Sequence, residues 1–220
     1  MADVVTQNNP IAQSQTEIDH KVVGSRMREA RKARGLTLMQ LSAQSGVGLT
    51  TISKAERGEI ALTYDKFAAL ARALSLDLDE IFGFPQQAGM PPKAVSFTPS
   101  GGQMIYQTPN VECGMLANDL TGKRMIPMRG HVRARAMSDF TDYVRHSGEE
   151  FVFLLEGLLE LRFEDGRSFI LKPGDSLYFD SSLGHVYLSI GENDADVLVC
   201  CADADGHQLD GIARQSVDRL

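Results

Sequence analysis

The sequence has no tryptophan, only three cysteines and no long apolar run. A membrane-spanning helix needs roughly 20 consecutive apolar residues, so we expect no membrane partner and a cytoplasmic location. The first 20 residues contain neither a basic leader nor an apolar stretch, and they therefore do not resemble a signal peptide. The odd number of cysteines and the lack of a CxxC spacing argue against a disulfide framework and a zinc knuckle.

Two of the three cysteines are adjacent. Cys200 and Cys201 belong to the apolar segment VLVCCA, which predicts a strand. Neighbouring side chains on a strand point to opposite faces, so these two thiols cannot converge on one ligand. We interpret them as small core residues rather than as a redox pair.

The negative net charge is unevenly distributed. The whole chain carries −7, but residues 21–74 contain ten basic and four acidic residues, which is a net charge of +6. A basic segment in an acidic chain is typical of a domain that contacts phosphates, while the acidic remainder discourages nonspecific adhesion.

The basic segment has the pattern of short helices joined by tight turns. Thr37 and Gln40 have the spacing of a capping box, and Gly46 ends the helix that begins there. The segment LTTISKAERG predicts the next helix, with Ile52 buried and Gly58 as its terminator. A helix capped by Thr63 and a short fifth helical turn, LDEIFG, complete a predicted bundle of five helices.

After a segment rich in proline and glycine, the spacing of the apolar residues changes from a helical pattern to a strand-like one. Short strand-like segments then recur between turn signals such as Asp165-Gly166, which predicts a barrel or a double-sheet sandwich. The fold class is therefore α + β in two domains. We predict a flexible arm over residues 1–20, a helical domain over 21–84, a linker over 85–94, a β domain over 95–205 and a tail over 206–220.

The segment GLTLMQLSAQSGVGLTTISKAERGEIALTYDKFAALARAL resembles the helix-turn-helix domain of the xenobiotic-response-element family, which includes Cro and the phage repressors. The resemblance implies a lambda-repressor-like all-α fold whose third helix lies in the major groove of double-stranded DNA. It implies base contacts by Leu49, Thr50, Thr51 and Lys54. It implies phosphate contacts by Arg26, Thr37, Leu38, Ser53 and Arg57. Tight operator binding by so small a domain further implies a homodimer and a palindromic site.

The segments HSGEEFVFLLEGLLELRF and PGDSLYFDSSLGH resemble the two motifs of the cupin superfamily, which implies a double-stranded β-helix, or jelly-roll, barrel. In metal-binding cupins the motifs supply three histidines and a glutamate. His146, Glu150 and His185 fall on the second, third and fourth of these positions, while Val144 occupies the first. Two imidazoles and one carboxylate can hold Fe, Zn, Ni or Mn.

The cupin resemblance does not decide whether the site holds a metal ion. One interpretation is a divalent ion held by the three ligand-type residues. The other is a vestigial site whose histidines hydrogen-bond an organic effector. In both cases we predict that the effector pocket contains Val144, His146, Glu150, Tyr178 and His185.

The combination of the two domains resembles the cupin-sensor transcriptional regulators of bacteria, which implies effector-controlled operator binding and no catalytic residue. It is also similar to the hydroxypropylphosphonate epoxidases, which are non-haem iron enzymes with a helical domain. In that alternative His146, Glu150 and His185 bind Fe(II). The basic predicted DNA-contacting helix favours the regulator, because an enzyme does not need it.

Overall fold

The computed structural model describes residues 16–76, 94–120 and 123–202. The predicted fifth helical turn, the tail over 206–220, most of the arm and most of the linker lie outside these residues. The longest described helix has 14 residues, and none of the helices in the described ranges could span a bilayer.

The helical domain contains four described helices. They are α1 His20–Ala33, α2 Leu38–Ser45, α3 Leu49–Glu56 and α4 Tyr64–Ala73. The predicted capping box is present: Thr37 Oγ1 accepts from the Gln40 N–H, and Gln40 Oε1 accepts from the Thr37 N–H. Gly46 ends α2 in the left-handed region at φ 71°, where glycine avoids the steric cost of a side chain.

One charged residue of α1 is buried rather than exposed to solvent. Arg31 is only 9% exposed, and its Nε and Nη2 atoms donate to the carboxylate of Glu56 at the end of α3. The helical period could not predict this pair, because the two residues lie 25 positions apart. The ion pair fixes α1 against α3 and removes one positive charge from the outer surface.

The β domain contains two sheets formed by short strands. They are β1 Thr16–Glu17, β2 Met104–Gln107, β3 Val111–Met115, β4 Met125–Val132, β5 Glu149–Glu156, β6 Leu159–Phe163, β7 Ser168–Leu171, β8 Ser176–Asp180, β9 His185–Ser189 and β10 Ala195–Ala202. The larger sheet has the order β1-β2-β3-β4-β10-β5-β8, and the smaller has the order β7-β6-β9. Gly166 lies in the predicted turn between β6 and β7 with φ 90°.

The last residues of the predicted arm belong to the fold. Thr16–Glu17 form β1, which pairs in parallel with β2 of the barrel. Ile18 is 5% exposed, and Asp19 caps α1 by accepting from the Lys21 N–H. The chain therefore contacts the barrel before it enters the helical domain.

The two domains share one continuous hydrophobic core. Tyr106 of β2 is 4% exposed and lies against α4, where its ring makes an edge contact with Phe67 at 5.0 Å. Its hydroxyl oxygen accepts from the Leu62 N–H at 2.6 Å. This interdomain contact places the start of α4 beside the barrel interior.

Candidate functional site

The residues predicted to contact bases lie on α3. Leu49 is 45% exposed, Thr50 and Lys54 are also exposed, and Thr51 is half-buried. The opposite side of the helix packs inward through Ile52, which is 1% exposed. The helix thus presents a polar, cationic and partly apolar face that suits the donors, acceptors and methyl groups of a major groove.

Two of the residues predicted to contact phosphates lie at the start of α2. Thr37 is exposed and caps the helix, while Leu38 is half-buried as its first residue. A helix N-terminus carries partial positive charge, so this end is suited to a phosphate. Arg26 on α1 is half-buried.

The other predicted phosphate contacts lie at the end of α3. Arg57 donates to the Ser53 hydroxyl and forms an ion pair with Glu59, at 2.5 Å in each case. The hydrogen bond from Arg57 holds the pKa of Glu59 below its usual range. The predicted phosphate contact by Arg57 would have to displace Glu59, a competition that the sequence pattern did not reveal.

The barrel encloses a cavity of about 120 Å³. Four of the five predicted pocket residues line it, namely Val144, His146, Glu150 and His185. The rest of the wall is largely apolar, including Met128, Val132, Phe140, Val186, Val197 and Val199. A small apolar cavity with a few polar groups is typical of a small-molecule site.

The assignment of Tyr178 to the pocket was wrong. Tyr178 is 60% exposed, and its hydroxyl hydrogen-bonds Glu149 on the outer face of the barrel. Side chains alternate along β8, so Phe179 faces inward instead and lies opposite Glu150 on the neighbouring strand. The sequence pattern predicted the strand, but it could not identify which of the two faces of the strand is buried.

The polar end of the cavity is centred on Glu150. His146 Nε2 lies 2.8 Å from Glu150 Oε2, and His185 Nε2 lies 3.5 Å from the same oxygen. Tyr187 donates its hydroxyl proton to Glu150 Oε1. Burial alone would raise the pKa of Glu150, but the hydrogen bonds from the two histidines outweigh it and hold that pKa well below its usual range.

The contact with Glu150 also shifts the pKa of the second histidine, His185. Burial opposes protonation of His185, but its hydrogen bond to Glu150 raises the pKa of His185 overall. Its Nδ1 lies 2.9 Å from the Leu183 carbonyl oxygen. A carbonyl acceptor at Nδ1 orients the ring so that Nε2 faces Glu150, as is common for histidines that bind metals.

Two cysteines line the cavity, and the sequence analysis assigned neither to it. Burial raises the pKa of Cys113 to about 12. Cys201 is 2% exposed and lies directly opposite Glu150 in the pairing of β10 with β5. The expected alternation holds, since Cys200 is more exposed than Cys201. The contact could not be predicted because it depends on strand register.

The helical domain also contributes to the cavity wall. Thr63 and Tyr64, at the start of α4, line the cavity. The Tyr64 ring lies 4.8 Å from the His146 ring in an edge contact, and its hydroxyl hydrogen-bonds Cys201. The cavity is therefore shared by both domains, which no motif in either domain indicated.

The donor chemistry of the cavity fits a divalent transition metal. Two sets of three ligands are available. Both contain His146 and Glu150, and the third ligand is His185 in one set and Cys201 in the other. Imidazole nitrogen, carboxylate oxygen and thiolate sulfur are ligands that Zn, Fe, Co and Ni accept. A metal ion held there would supply Lewis acidity and an anchor for an anionic ligand atom.

Comparisons with known proteins match both halves of the chain. A helix-turn-helix family model matches residues 27–81, and a cupin domain model matches residues 138–201. A helix-turn-helix family transcriptional regulator from Vibrio cholerae is 18% identical, with 84% of this chain and 96% of that chain covered and a TM-score of 0.60. The TM-score indicates a shared fold.

The hydroxypropylphosphonic acid epoxidase from S. wedmorenis is also 18% identical, with 84% of this chain and 100% of that chain covered, at a TM-score of 0.45. No curated protein matches the sequence. The family models confirm the fold class predicted from the motifs. The N-terminal domain of the chain belongs to the helix-turn-helix family, and its C-terminal domain belongs to the cupins.

Proposed function

We propose that the protein is a sequence-specific DNA-binding transcriptional regulator whose cupin cavity binds a small-molecule effector. The observation that carries this proposal is the exposed face of α3, with Thr50 and Lys54 directed away from the buried Ile52. The positive charge of residues 21–74 favours approach to a phosphate backbone. Leu49 adds an exposed apolar group that suits a thymine methyl.

The active species in this proposal is a homodimer. One helix-turn-helix domain makes few base contacts, so two copies on a palindromic operator provide the affinity that a regulator needs. Native mass spectrometry of the purified protein measures the subunit count directly and detects any ligand that copurifies. If the protein remains strictly monomeric while it is bound to its operator, this part of the proposal is contradicted.

Effector binding reaches the DNA-binding domain through α4. Tyr64 forms part of the cavity wall, so a ligand that occupies the cavity contacts the first residues of this helix. Helix α4 packs against α2, which in turn packs against α3. A ligand that prefers one arrangement of these helices shifts the population toward it and changes operator affinity.

Replacing Lys54 with alanine should weaken operator binding roughly ten- to a hundredfold, since a good base contact contributes about 1–3 kcal/mol of discrimination. The affinity is measured by fluorescence anisotropy at fixed salt with the DNA upstream of the gene. The matched control is Lys172→Ala, which removes the same charge from an exposed position on the barrel. Equal losses in the two variants would contradict a base contact by Lys54.

Replacing Tyr64 with alanine should open the cavity and make Cys201 react with iodoacetamide several-fold faster. Cys201 is 2% exposed, and the Tyr64 hydroxyl contacts its sulfur. Mass spectrometry of the digested protein measures alkylation, with the more exposed Cys200 as the internal reference. Tyr64→Phe retains the ring and should protect Cys201 more than alanine does. Unchanged protection in Tyr64→Ala would contradict the role of Tyr64 as a cavity wall.

A non-haem iron enzyme is the second candidate function. The approach of His146 and His185 to one oxygen of Glu150 favours it, because two imidazoles and a carboxylate suit Fe(II) with open positions. Micromolar, nonspecific DNA binding together with stoichiometric iron would support this candidate. Nanomolar, salt-sensitive operator binding would support the regulator.

A further inference from the structure

The ligand-type residues of the cavity include a sulfur atom from the adjacent strand. Glu150 on β5 and Cys201 on β10 are directly opposite each other in an antiparallel pair. Side chains in such a pair lie on the same face with Cβ atoms about 4.5–5.5 Å apart. Both residues are buried, at 4% and 2% exposure, so their polar atoms face the barrel interior rather than solvent.

His146 completes a compact group of three different donors. A ring nitrogen of His146, a Glu150 carboxylate oxygen and the Cys201 Sγ atom all lie within 4.8 Å of one another. Donors at such separations can close around one ion with small side-chain rotations. The group is the one set of three metal-ligating side chains that meets this distance within the described residues.

The surroundings of the group restrain its orientation. Tyr187 donates to one oxygen of Glu150, which leaves the other oxygen directed to His146 and His185. Hydrogen bonds of this kind to ligating side chains orient them and raise their affinity for metal. Hydrogen bonds therefore fix the orientation of the Glu150 carboxylate within the cavity.

We propose that Cys201 is a metal ligand and that, with His146 and Glu150, it makes the cavity selective for zinc-class divalent ions. A thiolate favours Zn over Mg, Ca or Mn, whose preferred ligands are oxygen atoms. Three protein ligands leave a further position for water or an effector atom, as in open zinc sites. On binding, the sulfur–metal bond forms while the thiol proton leaves to solvent.

The inference deepens the proposed effector site and rests on that cavity being a binding site. Because Tyr64 of α4 hydrogen-bonds the same sulfur, a metal that binds Cys201 competes with a contact from the helical domain. Metal occupancy is thereby connected to the helix that packs against α2. Metal binding is measured without DNA, so failure of this inference is distinguishable from failure of the proposed regulator.

The test is a titration of the full-length, metal-free, reduced protein with Co(II) as a spectroscopic probe. We expect saturation near one ion per chain and a near-ultraviolet thiolate-to-cobalt charge-transfer band, which Zn(II) abolishes by displacement. Cys201→Ser should lose the band and bind Co(II) at least about tenfold more weakly. Cys201→Ala is a second variant, which removes the thiol without placing a hydroxyl group at this position. Circular dichroism confirms that each variant is folded.

The other two cysteines provide matched controls. Cys200→Ser changes the adjacent thiol, and Cys113→Ser changes the other thiol in the cavity wall. Both variants should retain the band. A band that survives in folded Cys201→Ser, a band that disappears in Cys113→Ser, or no saturable binding by the unmodified chain would overturn the proposal.

Discussion

Replacing Glu56 with alanine is expected to lower the free energy of unfolding by about 3–5 kcal/mol, because it leaves a buried guanidinium without its counter-charge. Arg31 donates from Nε to Glu56 Oε1 at 2.6 Å and from Nη2 to Oε2 at 2.7 Å. The side chains are 10% and 5% exposed, so little solvent reaches the guanidinium to compensate for the lost carboxylate. The Glu56 hydrogen bond also raises the pKa of Arg31, so this group stays charged.

Urea denaturation followed by circular dichroism measures this loss, and operator binding should fall with it because Glu56 is the last residue of α3. Glu59→Ala is the matched control, since it removes a carboxylate from an exposed pair with Arg57 that solvent screens, and it should cost far less stability than Glu56→Ala. The double variant Arg31→Met and Glu56→Leu should recover much of the stability. Similar losses for the two glutamates would contradict the expected difference.

Replacing Tyr106 with alanine is expected to cost about 3–5 kcal/mol and to separate the unfolding of the two domains. Its ring packs between the domains, with edge contacts to Phe67 at 5.0 Å and to His20 at 5.1 Å. Its hydroxyl accepts from the Leu62 N–H. Without these contacts, less apolar surface is shared between the helical domain and the barrel.

Differential scanning calorimetry tests this effect, since one cooperative transition should become two. Tyr106→Phe is the control: it keeps the ring but leaves the Leu62 N–H without its acceptor, at a cost of about 1–3 kcal/mol. A single transition in Tyr106→Ala, or an equal loss in the two variants, would show that the ring does not couple the domains.

Local sequence signals predicted the secondary structure of both domains well. The capping box at Thr37, the buried Ile52 and the hairpin turn at Gly166 follow from interactions within a few residues, and all three are present. The cupin motifs likewise predicted that Glu150 and His185 share one interior, because each motif fixes the direction of its own side chains.

Contacts between distant parts of the chain account for the predictions that were wrong or missing. Arg31 carries a charge, and charged side chains are rarely buried unless they are paired, yet a partner 25 residues away allows its burial. Cys201 faces Glu150 only because of the β10–β5 register, and Tyr64 reaches the cavity only because α4 packs on the barrel. Tyr178 was misplaced because strand alternation fixes two faces without identifying the buried one.

The short strand β1 has a consequence for operator geometry. It attaches the entrance of the helical domain to the barrel, while the Tyr106 contact holds the start of α4. A domain fastened at two points cannot swing on a tether, so in a dimer the barrels would set the separation of the two α3 helices. One base pair inserted between half-sites adds about 3.4 Å and about 35° of rotation. Such a dimer should tolerate no change in half-site spacing.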